Sequence, residues 1–182
     1  KSFPLSAKAP QKEQQNQPLV SLKKVSVSFL DKPILDRIDW TISSGEVWAL
    51  KGPNSGNLDR IQVIKGWIDQ EGQSQERIYN VVWSGKRTLD ADGKLPKVGN
   101  TVNIADASYS NSIGSTTLKT VWNDPDFNSE QPAFYYIRVL EIPTPRWSTY
   151  DAKALGILPP KDFPATIQER AWTSPIWYQP VK

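Results

Sequence analysis

The chain has 182 residues, with 22 Lys plus Arg, 19 Asp plus Glu, and no Cys, His or Met. Lacking thiol and imidazole, it has no disulfide, no zinc site built on nitrogen and sulfur ligands, no Ser-His-Asp triad, and not the commonest acid-base group near neutral pH. The net charge of +3 is concentrated in residues 1–24, where five lysines face one glutamate; this predicts a solvated basic tail, a near-neutral body and no nucleic-acid partner.

Residues 1–18 read as a disordered leader, since the Gln-rich run 11–18 has no apolar group to offset its ordering entropy. Val20, Leu22, Val25, Val27 and Phe29 make a β-rich run, Asp31-Lys32-Pro33 a turn, and residues 34–42 a second strand. A short apolar strand follows at 47–50, then a Gly/Pro/Asn/Ser loop at 52–57. In 58–68 the β-branched content and Gly66 favour strand over helix. A turn at 69–72 and a returning strand at 77–83 complete a hairpin, 89–100 is loop, and 101–109 is strand-like.

AFYYIRVLEI at 133–142 is apolar on both faces, which predicts a central strand, with Pro143 and Pro145 ending it. Residues 148–155 form a short helix with Ser148 as N-cap and Gly156 beyond its end. Residues 171–178 are a last strand that Pro175 makes an edge or breaks. The expected class is mainly β: an antiparallel β-rich domain with few short helices, preceded by a small β-subdomain-like segment and the leader. No stretch approaches the ~18 apolar residues of a membrane span, and residues 1–18 lack the apolar core of a signal peptide.

Residues 19–53, LVSLKKVSVSFLDKPILDRIDWTISSGEVWALKGP, resemble the first β-subdomain of an ATP-binding cassette ATPase up to its phosphate loop. The resemblance implies an aromatic, here Phe29, stacked on adenine, and a loop carrying Gly52, Asn54 and Gly56 around phosphate. A phosphate loop reads GxxxxGK followed by Ser or Thr, so that backbone amides, a cation and a hydroxyl converge on phosphate and magnesium. Counted from Gly52, Asn57, Leu58 and Asp59 stand in those last three places. A one-residue shift satisfies Gly56 but puts Asn57 for the lysine and Leu58 for the hydroxyl. The loop is therefore read as incomplete, and no ATP cofactor is expected.

The blocks NSGNLDRIQVIKGWIDQEGQSQERIYNVVWSG, VGNTV, TVWNDPDF, PAFYYIRVLEIPTPRWSTYDA and PATIQERAWTSPIWY, within 54–180, resemble the C-terminal part of the domain-of-unknown-function 3604 family. That resemblance implies a β-rich portion of a longer, generally exported protein. The longer protein's N-terminal part is similar to polymerase-and-histidinol-phosphatase (PHP) metal-dependent hydrolases, whose His ligands are absent here. The expected organisation is a leader at 1–18, an incomplete cassette-like segment at 19–53 and the 3604-type domain at 54–182. The two blocks meet in VWALKGPNSG, as in a chimera. One resemblance suggests a periplasmic or exported protein, the other a cytoplasmic one.

Candidate sites are few. Asp124 and Asp126 in NDPDF are hard-metal donors in type, but Pro125 favours an Asx-turn; Asp90, Asp92 and Gly93 fit a turn better than a calcium loop. Glu141 and Glu169 are the pair for a two-carboxylate hydrolase, with ion pairing to Arg138, Arg146 or Arg170 as the alternative. Trp147, Tyr150, Trp172, Trp177 and Tyr178 suit core packing first, then ring stacking on a ligand or contact with an absent domain. Glu141, Arg146, Trp147, Glu169, Arg170, Trp172 and Trp177 are the ligand or domain-interface candidates; no catalytic or metal residue is expected. Three readings follow: a non-catalytic accessory portion of a hydrolase-like protein whose partner is the missing metal domain, a degenerate nucleotide-binding module, or an autonomous carbohydrate-binding domain.

Overall fold

The computed structural model describes residues 18–30 and 32–180, with the backbone alone at 29, 34 and 35. Of the leader expected at 1–18, residues 1–17 lie outside the described residues and Pro18 already opens the first strand. The chain divides into two compact units, one ending at Glu46 and the other starting at Val47.

In the first unit, β1 (Pro18–Phe29) and β2 (Lys32–Ser43) form an antiparallel ribbon. The expected turn at 31–33 is displaced, because Phe29 already pairs with Lys32 and Ser28 with Pro33. Irregular register is accommodated by positive φ at Lys24 and Arg37. Side chains take up the freed amides there: Lys24 N–H donates to Asp39 Oδ1 at 2.8 Å and Arg37 N–H to Ser26 Oγ at 2.9 Å. Among the described residues this sheet has only its two strands, and Leu19, Val20 and Val27 are exposed. Burial therefore contributes little to it.

The second unit is built on an antiparallel sheet ordered β5 (Ser74–Trp83), β4 (Leu58–Ile68), β7 (Ala133–Pro145), β8 (Thr166–Trp172), with β9 (Ile176–Tyr178) beside the start of β7. A ribbon of β3 (Glu46–Leu50) paired with β6 (Thr117–Val121) contributes the remaining core residues. Ala49 and Leu118 from the ribbon join Leu58 and Ile61 of β4, flanked by Val81, Val82, Ile137 and Val139. Complete burial of a side chain such as Ile61 or Ile64 contributes about 1.5–3 kcal/mol. The sequence places the domain boundary after residue 53; the backbone contacts divide the chain after Glu46, since β3 pairs within the second unit.

The mainly antiparallel β class, the hairpin of β4 and β5 and the central β7 are as expected. Three local expectations are corrected. Residues 101–109 hold a turn, not a strand: Asn103 Oδ1 accepts the amides of Ala105 and Asp106, and a lone bridge joins Asn103 to Ser108. Pro143 does not end β7, because the pairing with β8 shifts between Leu140 and Pro143 and resumes; Pro145 is the strand's last residue, as expected. The helix α1 (Trp147–Leu155) is N-capped at Arg146 without a side-chain cap, while Gly156 ends it at φ 66° as expected. As expected, the last strand is broken: Pro175 lies between β8 and β9, and Thr173 bridges the gap by exchanging hydrogen bonds with Ile137. Strand β6 was not expected, since Leu118 is its one buried residue. Among the described residues no helix is long and apolar enough to cross a membrane.

Gly114 holds φ 80°, and a Cβ there would lie 2.6 Å from Asn57 Cβ and 2.7 Å from Ile142 Cγ2. Gly114→Ala adds left-handed strain to overpacking and is expected to destabilise the second unit by about 2–4 kcal/mol. Gly85→Ala, strained in φ but with open space around its Cβ, is expected to cost about 1–2 kcal/mol. Urea denaturation of both variants checks the difference.

Candidate functional site

The loop at 52–56 has the wrong polarity for phosphate. The ammonium of Lys51 donates to the carbonyls of Gly52 (2.9 Å), Pro53 (3.3 Å) and Ser55 (3.1 Å). The amides that follow are taken: Gly56 N–H by Glu141 Oε2 at 3.0 Å, Asn57 N–H by Asn111 Oδ1 at 2.7 Å, Leu58 N–H by Ser115 O at 2.7 Å. Asn54 offers its carbonyl to the Tyr109 hydroxyl. The side chain of Phe29, the adenine-stacking candidate, lies outside the described part of the structure. Of the three loop candidates, Gly52 gives its carbonyl to the Lys51 cation, while Asn54 and Gly56 are bonded to Tyr109 and Glu141.

Asp59, next in line, is fully buried. Its carboxylate accepts from Arg60 Nε (3.0 Å), Arg87 Nη2 (2.7 Å) and Gln168 Nε2 (3.0 Å). Gln168 also donates to Glu141 O, so β8 is held to β4 and β7 at one point.

A second polar cluster crosses the sheet. Lys65, in the apolar run of β4, is 3% exposed and donates to Asp124 Oδ2 at 2.6 Å and to Asp126 O at 2.7 Å. Tyr135 donates to the same Asp124 oxygen, while Tyr79 and Arg77 reach Asp126 Oδ2, each at 2.7 Å. Burial, then the hydrogen bond to a carboxylate, pushes both phenols far up. Burial also works to raise the Asp124 carboxyl, but the bonds from Lys65 and Tyr135 outweigh it and hold it below its usual range. Asp126 N–H returns to Asp124 Oδ1, the expected Asx-turn, and Asp90 caps the amides of Asp92 and Lys94 in the same way. Among the described residues no group of three or more acidic, His or Cys side chains is placed to hold a metal ion.

Glu141 and Glu169 do not form a working pair. Glu141 is spent on Gly56, and Glu169 stands exposed on β8. Among the described residues neither is ion-paired, and Arg138 Nε donates to Gln62 Oε1 instead. Glu169, Arg146, Arg170 and Trp172 do meet, along a cleft of about 770 Å³ whose other wall is residues 97–100.

The expectation that the tryptophans pack in the core is overturned. Trp147 is 77% exposed, Trp172 57% and Trp177 66%. Core positions went to smaller aliphatic residues, and the indoles lie at the sheet margin or on α1. Trp147 stands beside Tyr150 on α1. Trp177 leans on Phe134 at 5.3 Å, and Phe134 stacks on Tyr136 at 6.4 Å. Half-buried Phe134 and Tyr136, with the exposed Ile78, thus extend an apolar patch that the tryptophans alone do not reveal. Lys97, Lys65 and Asp59 were also missed as site residues; charges within the apolar run 58–68 were the available signal for Asp59 and Lys65, and Lys97 had none.

Lys65→Met strands a buried carboxylate and is expected to cost about 3–5 kcal/mol, whereas Lys65→Met with Asp124→Leu restores most of it. Because the Asp124 pKa is depressed on folding, its contribution is present above the ordinary value of 3.8 and lost as pH falls below it. Asp124→Asn is therefore expected to flatten the acid limb of a stability-pH curve below about pH 4, measured by denaturant titration.

A family model described as protein of unknown function (DUF3604) matches residues 41–180. Among curated proteins, 50 residues are 38% identical to the zinc import ATP-binding protein ZnuC of Marinobacter nauticus, covering 27% of this chain and 20% of that protein. The ABC transporter ATP-binding protein ModF of Escherichia coli K12 is 35% identical over 52 residues, 28% of this chain and 11% of that one. ZnuC of Vibrio vulnificus is 32% identical over 80 residues, 43% of this chain and 31% of the relative. The chain thus spans less than a third of each of these relatives. No solved structure matches. With β3 to β9, α1, the cleft and both polar clusters inside the matched residues, the chain belongs to the DUF3604 family.

Proposed function

We propose that residues 54–182 act as a non-catalytic accessory β-domain of a longer PHP-like metal-hydrolase-type protein, docking against its metal domain, and that residues 19–53 are an incomplete ATPase-like segment joined to it. The observation that carries this reading is the open face of the sheet. Trp177 and Ile78 are presented there, 66% and 45% exposed, beside the half-buried Phe134 and Tyr136. Contiguous apolar surface of this kind is costly to leave in water and marks contact with another surface. The acidic and basic groups behind it are matched to each other, which suits a rigid supporting part.

The overlap of the family match, from residue 41, with the cassette-like segment, to residue 53, supports a junction where both patterns agree. A nucleotide-binding role has little support from the loop, whose carbonyls converge on Lys51 and whose amides at Gly56 and Asn57 are occupied. The exposed indoles favour a carbohydrate-binding module as the second reading.

Hydrogen-exchange mass spectrometry tests the docking role. The chain is measured alone and mixed with the metal-hydrolase-like portion of a full-length DUF3604 protein. Protection confined to 134–138 and 176–178 is expected; unchanged exchange there contradicts the reading. Mg-ATP at millimolar concentration is expected to leave the fluorescence of Trp48, close to the loop, unchanged. A saturable change would restore the nucleotide reading.

A further inference from the structure

The cleft between residues 97–100 and β8 has a chemistry that the docking face lacks. Its walls carry three cations, Lys97, Arg146 and Arg170, against the single carboxylate of Glu169. Among the described residues none of these three cationic side chains makes a hydrogen bond or an ion pair. Arg146 goes further: its Nε is enclosed and has no partner. Elsewhere in the unit buried charge is matched, as at Asp59 and Lys65. An enclosed cationic donor left without an acceptor is the exception that calls for a ligand.

We propose that this cleft binds an acidic saccharide, a sugar bearing a carboxylate. Two guanidinium groups and an ammonium suit an anionic group, and the planar fork of Arg engages a carboxylate through paired hydrogen bonds. Trp172 lies on the same wall with more than half its surface in solvent, offering a flat apolar face to a sugar ring. Glu169 would oppose a bare polyanion, but it accepts hydrogen bonds from sugar hydroxyls. The volume of about 770 Å³ accommodates a short oligosaccharide. This site is independent of the docking face, since Lys97 and Arg170 can be altered without touching Phe134 or Trp177.

Calorimetric titration of the full chain at low ionic strength, with trigalacturonate, the neutral maltotriose and inorganic phosphate as probes, tests the proposal. Trigalacturonate is expected to bind, and to weaken as salt is added. Maltotriose is expected to bind at least ~10-fold more weakly, the loss of one charged hydrogen-bonded anchor. Because Arg146 caps α1, the exposed Lys97 and Arg170 are the positions to vary. Lys97→Gln with Arg170→Gln is expected to lose at least ~10-fold in affinity with unchanged thermal stability, and Trp172→Ala a comparable amount. The proposal is overturned by absence of heat with trigalacturonate, by equal binding of maltotriose, or by indifference to the double variant. It is overturned equally if phosphate competes as well as trigalacturonate, which would mean a simple anion site.

Discussion

Asp59 sits where the loop after β3 enters the central strand β4, and its carboxylate is wholly enclosed. Arg60, Arg87 and Gln168 converge on it, while its backbone carbonyl accepts Ser84 N–H and Arg87. An enclosed carboxylate without partners is strongly unfavourable, so each contact becomes obligatory once Asp59 is buried. Through them the 84–87 turn, β4 and β8 are tied at one point, and Gln168 reaches on to β7. The cleft wall carrying Glu169, Arg170 and Trp172 begins at that tie, so the site geometry depends on it.

The same residue explains why the chain looks like two things at once. In the cassette pattern the positions after the loop should supply a cation and a hydroxyl to phosphate. Here they supply Asn57, Leu58 and Asp59, each of which has an internal task. Asn57 bonds the carbonyls of Asn111 and Ile113, Leu58 joins the core, and Asp59 holds the arginines. With Lys51 collecting loop carbonyls, the segment reads as the entry to a β-domain. Its likeness to a phosphate loop is one of residue types, with the hydrogen-bonding polarity reversed.

Much of the architecture was legible because it is locally encoded. The β-branched run of β4, the turn at 69–72, the two-sided apolar pattern of β7 and Gly156 after α1 each speak through a few adjacent residues. What was not legible depends on distant partners. Lys65 finds Asp124 59 positions away, Gln168 finds Asp59 across 109, and β7 runs on past Pro143 because β8 shifts register beside it. The site shows the same division. Arg146, Glu169, Arg170 and Trp172 were singled out by type and do share a cleft, but Lys97 is brought there by the fold alone. Aromatic content marks residues that tend to be buried, and only the assembled sheet shows which face stays open.

The central claim is that residues 52–58 are built into the frame of the DUF3604 domain. Native-state hydrogen exchange at the amides of Gly56, Asn57 and Leu58, with and without Mg-ATP, addresses it most directly. These amides are bonded to Glu141, Asn111 and Ser115, so they should exchange only with unfolding of the whole second unit, at the rate of the central β4 amides and indifferent to nucleotide. Fast exchange through local opening, while β4 stays protected, or slowing on addition of Mg-ATP, would contradict the account.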